Sequence, residues 1–103
     1  MVPIGDPARL RRLAGWLSEQ AEAVRGHARL VSARARAVRW ESTAADAFRG
    51  QVDQEVSRLL ASARGMDDAS DALRRHARTV ELRLEEIGRI GHGLGAVLRR
   101  LGL

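Results

Sequence analysis

Trp40-Glu41-Ser42-Thr43-Ala44-Ala45-Asp46-Ala47-Phe48-Arg49 interrupts a heptad pattern that runs on both sides of it, and this interruption decides the fold. Before it, Leu10, Leu17, Val24, Val31 and Val38 recur every seven residues, with Ala14, Ala21, Ala28 and Ala35 in the column four residues further on. After it, Ala45, Val52, Leu59, Met66, Leu73, Val80 and Ile87 recur at the same interval, accompanied by Phe48, Val56, Ala63, Ala77 and Leu84. Alternating steps of four and three draw one stripe along a helix. Seven-residue repeats on both sides of a short turn predict an all-α, coiled-coil-like antiparallel two-helix hairpin. The all-Ala column requires a second backbone to approach closely along that face, because nothing bulkier stands between them.

Moving outward, Asp6 reads as an N-cap and Pro7 as the first helical residue, where the missing N–H costs nothing and the carboxylate meets the positive end of the helix dipole. The first helix is expected over about 7–39 and the turn at 40–42. The second helix is expected to start at Ser42 or Thr43, with Thr43-Ala44-Ala45-Asp46 as a variant capping box, and to run to about residue 87. Beyond Ile87, Gly88, Gly91, Gly93 and Gly95 fall within eight residues. Such a density disfavours a firm helix, so residues 1–87 are read as the hairpin and 88–103 as a flexible, basic, Gly-rich tail. That basic, Leu-rich end is read first as a frayed terminus, with weak contact to a membrane surface or a partner groove as the alternatives.

Composition narrows the function classes. The 103 residues include only three aromatics and no Cys, which removes disulfides, thiol nucleophiles and Cys-based metal sites. No apolar run is long enough to span a bilayer, and the residues from Met1 to Asp6 lack the apolar core of a signal peptide. All 18 basic side chains are Arg, as GC-rich coding favours, so Arg content is discounted as a functional signal. The net charge of +5 is unevenly placed: +5 over residues 1–39, −3 over 40–87 and +3 over 88–103. An antiparallel hairpin would use that asymmetry for cross-helix pairs, each worth about 0–1 kcal/mol.

No catalytic pattern emerges. His27, His76 and His92 have no partner at metal-ligand spacing, and no Gly-x-Ser-x-Gly, P-loop or dinucleotide turn is present. Asp67, Asp68 and Asp71 point different ways around a helix, as a solvated face does. Basic residues are not interleaved with aromatic platforms, which argues against nucleic acid. The chain is read as a binding module rather than an enzyme, with no metal, cofactor or small-molecule substrate.

A lone hairpin leaves much of its apolar band wet. Trp16, Ala23, Leu30 and Ala37 make a further column beside the first stripe, and Leu60 and Leu82 lie off the second. A second hairpin would cover this surface and complete a four-helix bundle. The expected interface comprises Trp16, Leu17, Ala21, Val24, Ala28, Leu30, Val31, Phe48, Val52, Val56 and Leu59.

The turn also resembles the Trp-x-Gly hairpin of the small WXG (early-secreted-antigen-like) family of type VII secretion, with Trp40 as the motif tryptophan and Ser42 in the glycine position. The resemblance spans roughly residues 6–87. It implies a small secretion substrate or adaptor of an actinobacterial type VII system, exported without a signal peptide and folded as a dimeric four-helix bundle. Its partner would be itself, another such hairpin, or the helical N-terminal domain of a larger effector. Members often carry Tyr-x-x-x-Asp/Glu after the second helix, and this chain has no Tyr. The resemblance therefore implies a partner that carries the signal. The alternative is a cytosolic helical adaptor or an Arg-rich nucleic-acid-associated protein, which steeply salt-dependent DNA binding would favour.

Overall fold

The protein is described by a computed structural model covering residues 5–39 and 41–102. Two helices make it up: α1 (Pro7–Ala37) and α2 (Thr43–Arg100). They pack antiparallel, as the pairing of Arg11 with Glu81 and of Arg25 with Asp67 shows. The molecule measures 90 × 20 × 14 Å, so it is a rod two helices thick.

Both helix starts have local causes. The Asp6 carboxylate accepts from the Ala8 N–H at 3.1 Å, and Pro7 follows in the first turn. At α2 the cap is Ser42, whose Oγ accepts from the Ala45 N–H at 3.0 Å. The capping box expected to open at Thr43 does not form: the cap is Ser42, one residue earlier, and Ala45 has no side chain to reciprocate. Asp46 falls in the first turn, where it favours the dipole and pairs with Arg49. α1 stops two residues earlier than expected: Val38 turns extended, and its carbonyl accepts from Arg49 Nη2 at 3.0 Å.

The core is a zip of small residues. Ala14, Ala21 and Ala28 of α1 and Ala45, Ala63 and Ala77 of α2 are at most 1% exposed, and Ala35 is 8% exposed. No large side chain is fully buried among the described residues. The helices therefore meet nearly backbone to backbone, and the larger residues flank that contact.

The C-terminal segment departs from the sequence expectation. α2 runs unbroken through Gly88, Gly91, Gly93 and Gly95 to Arg100 and ends where Gly102 takes a φ of +79°. Each interior glycine costs about 1 kcal/mol relative to Ala. Around them, however, stand helix formers with no proline, and Arg99 and Arg100 complement the C-terminal dipole. Gly102, which supplies the left-handed residue that favours glycine, is the stop.

Because Ala63 is wholly enclosed, Ala63→Leu should lower stability by about 1–3 kcal/mol through overpacking. Thermal unfolding followed by circular dichroism would show a reduced Tm. An unchanged Tm would mean that the two backbones are not in close contact.

Candidate functional site

The small-residue columns split the hairpin into two unlike edges. On one side of the α1 Ala column lie Arg11, Ser18 and Arg25, three or four residues from successive alanines. These meet Glu81, Arg74 and Asp67 of α2, giving a polar edge. Arg11 grips the Glu81 carboxylate with both terminal nitrogens, Nη2 donating to Oε2 at 2.7 Å. Arg25 donates to Asp67 at 2.7 Å and to Glu22 of its own helix at 3.1 Å. The charge asymmetry of the sequence thus becomes two cross-helix pairs, and one member of the acidic cluster, Asp67, is committed to them. Further toward the turn this edge opens into a groove lined by Ala28, Arg29, Ser32, Ala33, Arg36, Val56 and Leu60.

On the opposite side of the Ala column lie Leu10, Leu17, Val24 and Val31. The register set by the ion pairs brings them level with Val80, Leu73, Met66 and Leu59, so the second edge is an apolar seam. All eight are only half-buried in the hairpin. Val52 is also half-buried, and Phe48, nearer the turn, is 41% exposed. Trp16 and Leu30, 54% and 47% exposed, lie about 100° further round α1, with Leu13, 46% exposed, between them and the seam.

The expected interface residues therefore fall into three groups. Leu17, Val24, Val31, Val52 and Leu59 lie on the seam, while Phe48, Trp16 and Leu30 extend it. Val56 faces the groove on the polar edge. Ala21 and Ala28 are enclosed between α1 and α2, 0% and 1% exposed, and a second chain cannot reach them while the hairpin is closed. Trp40 lies outside the described residues. Leu82, 58% exposed, lies on neither edge, whereas Leu60 helps to line the groove.

Ser70 was not singled out from the sequence, yet it is the buried polar residue of the core at 1% exposure. It occupies the α2 column that holds Ala63 and Ala77. Its hydroxyl donates to the Ala14 carbonyl at 2.8 Å and so accepts from Ser18 Oγ at 2.9 Å, and Ser18 in turn lies 3.4 Å from Arg74 Nη2. A polar residue at a core position favours the one register in which its hydrogen bonds are met. The available signal was a hydroxyl between Ala63 and Ala77 in a column of apolar residues.

Ser42, in the glycine position of the turn motif, has φ −169° and ψ 168°. That is extended backbone, open to any residue, so glycine is not required there and serine adds a cap. Among the described residues no helix is long and apolar enough to cross a membrane, and no cluster of His, Asp or Glu is placed to hold a metal ion.

With this geometry in view, comparison with known proteins places the chain. Residues 2–86 match the family model described as "Putative T7SS secretion signal domain", where T7SS denotes the type VII secretion system. The match covers most of the chain, which belongs to that family. It is a type VII secretion-related protein whose matched region coincides with the hairpin. No curated protein and no solved structure matches it.

Two measurements bear on these features. Ser42→Ala should cost about 1 kcal/mol and Ser42→Gly only a few tenths, read as an ordered pair of denaturation midpoints. Equal losses would show that the Ser42 cap is unimportant. Hydrogen bonding to Arg11 holds the Glu81 carboxyl below the ordinary glutamate range, and Arg25 and Arg29 do the same to Glu22. Depressed folded-state values stabilise the fold above the unfolded-state pKa, and this contribution is lost as pH falls through the folded value. Stability should thus decline on acidification below the ordinary glutamate range, and Glu81→Gln should flatten part of that decline. An identical pH profile for Glu81→Gln would show that the Arg11–Glu81 pair contributes nothing.

Proposed function

We propose that this chain is a type VII secretion substrate that travels as a folded hairpin paired with a second helical hairpin laid along its apolar seam. The observation that carries this reading is the coincidence of the secretion-signal family match over residues 2–86 with a hairpin whose seam is half open. Four levels of paired apolar residues, Leu10 with Val80 through Val31 with Leu59, make a groove of the kind a bundle helix fills. Trp16 and Leu30 give the second helix of that partner an apolar surface on the back of α1.

In this reading the protein is WXG-like, with Ser42 standing for the motif glycine, and is non-catalytic. The partner is a further copy, another small hairpin or the helical N-terminal domain of a larger effector, in an actinobacterial host. Because the chain lacks Tyr, the partner supplies any tyrosine-based export signal, which makes this chain an adaptor as well as cargo. The ion pairs weigh against the nucleic-acid alternative, because Arg11 and Arg25 are engaged with acids of α2.

The test is export of a tagged chain from a host with and without a functional type VII system, and with and without the protein encoded beside it. The expected result is culture-filtrate protein only when both are present. Val24→Glu combined with Leu59→Glu should leave the helical content intact and reduce export to the level of the disabled strain. Export unaided by any co-encoded protein would remove the adaptor role, and export independent of the type VII system would remove the reading altogether.

A further inference from the structure

α1 begins one turn beyond the Arg11–Glu81 pair, so α2 from about Leu84 onward has no α1 beside it. This overhang also lies past the end of the family match. Its apolar stripe nevertheless keeps the hairpin's rhythm: Leu84, Ile87, Gly91, Leu94, Leu98 and Leu101 follow at steps of three and four. All the large residues on that stripe are about half exposed or more, from 47% at Leu98 to 68% at Leu101. Among the described residues, the face that α1 covers along the hairpin therefore continues with no helix beside it for about 27 Å at 1.5 Å per residue.

We infer that the overhang is a self-association element that pairs antiparallel with the overhang of a second copy, joining two molecules tail to tail. Three features of the segment select this occupant. First, the stripe is its own complement when reversed: laying Leu84 against the other copy's Leu101 also places Ile87 against Leu98 and Gly91 against Leu94. Every core position then meets a core position, in the alternation an antiparallel coiled coil needs. Second, the flanks match. Gly88 faces Gly95 of the other copy on one side, which lets the backbones close up, and Ile90 faces Val97 on the other, which widens the apolar contact.

Third, the charges agree only in this orientation. Glu85 and Glu86 stand at the start of the overhang and Arg99 and Arg100 at its end. Reversal brings each acidic pair level with the other copy's basic pair on the outer faces of the two helices, so the opposite fields favour this orientation, whereas parallel pairing would set Arg level with Arg and Glu level with Glu. Each overhang would then lie in line with the other molecule's α1, on the same face of α2. The contact would bury on the order of 1,000 Å², at the small end of specific interfaces, so the association is reversible and concentration-dependent. It lies outside the apolar seam and does not depend on the function proposed above.

The test is the mass and maximum dimension of the full chain in solution, by sedimentation equilibrium and small-angle X-ray scattering across a concentration series. Wild type is expected to reach twice the mass of Leu94→Glu and to be about 60 Å longer, because two 58-residue helices then overlap by 18 residues. The double variants Glu85→Arg/Glu86→Arg and Arg99→Glu/Arg100→Glu should each stay at the mass of Leu94→Glu. Their equimolar mixture should recover the long, doubled species, because one copy then carries Arg at both ends of the overhang and the other Glu at both ends. This mixing experiment decides the matter even if Leu94→Glu perturbs the helix. Equal mass for wild type and Leu94→Glu, doubling without lengthening, or failure of the mixture to recover would each overturn the proposal. So would wild type that stays single while its overhang binds anionic phospholipid vesicles.

Discussion

The close approach of two helix backbones along columns of alanine is the contact on which the rest of this structure depends. Ala14, Ala21 and Ala28 meet Ala63 and Ala77 at essentially zero exposure. Because those side chains are so small, the contact leaves every larger apolar residue at the margin. A core of leucines would have been self-sufficient and would have hidden its own apolar surface. A core of alanines brings the helices together but leaves Leu17, Val24, Leu59, Met66 and Leu73 half open. The availability of the seam is thus a direct consequence of how little volume the core contains.

Specificity within so plain a core comes from polar groups at its margin. Ser70 hydrogen-bonds to the Ala14 carbonyl, and Arg11 and Arg25 pair with Glu81 and Asp67 along one edge. Alanine columns alone could slide by a heptad with little loss, since each alanine resembles the next. A hydroxyl that finds its acceptor in one register, flanked by ion pairs at two levels, penalises such slippage. The same groups make one edge polar and leave the other for a partner, so register and partner orientation share a single cause.

Much of this was legible in the sequence. The heptad columns, the Asp6-Pro7 start and the position of the turn follow from periodicity and capping chemistry, which are local properties. The displaced α2 cap and the early end of α1 were not, because Ser42, Thr43 and Asp46 can each serve at a helix start and only the path of the chain chooses among them. The C-terminal segment departs from its glycine-based expectation for another reason. Glycine only raises the cost of a helix that its neighbours still favour, and the stripe of Leu94, Leu98 and Leu101 continues through it.

The sequence by itself determined that the chain is two antiparallel helices with a small-residue contact, since a repeat of seven interrupted once admits little else. Only the tertiary structure decided which apolar residues are used up and which remain. Ala21 and Val24 belong to the same stripe and differ by less than one turn, yet one is sealed between the helices and the other lies on the open seam. That division depends on the rotation of each helix about its own axis. The ion pairs, the Ser70 hydroxyl and the depth of the alanine contact fix it jointly, through contacts between residues more than forty positions apart.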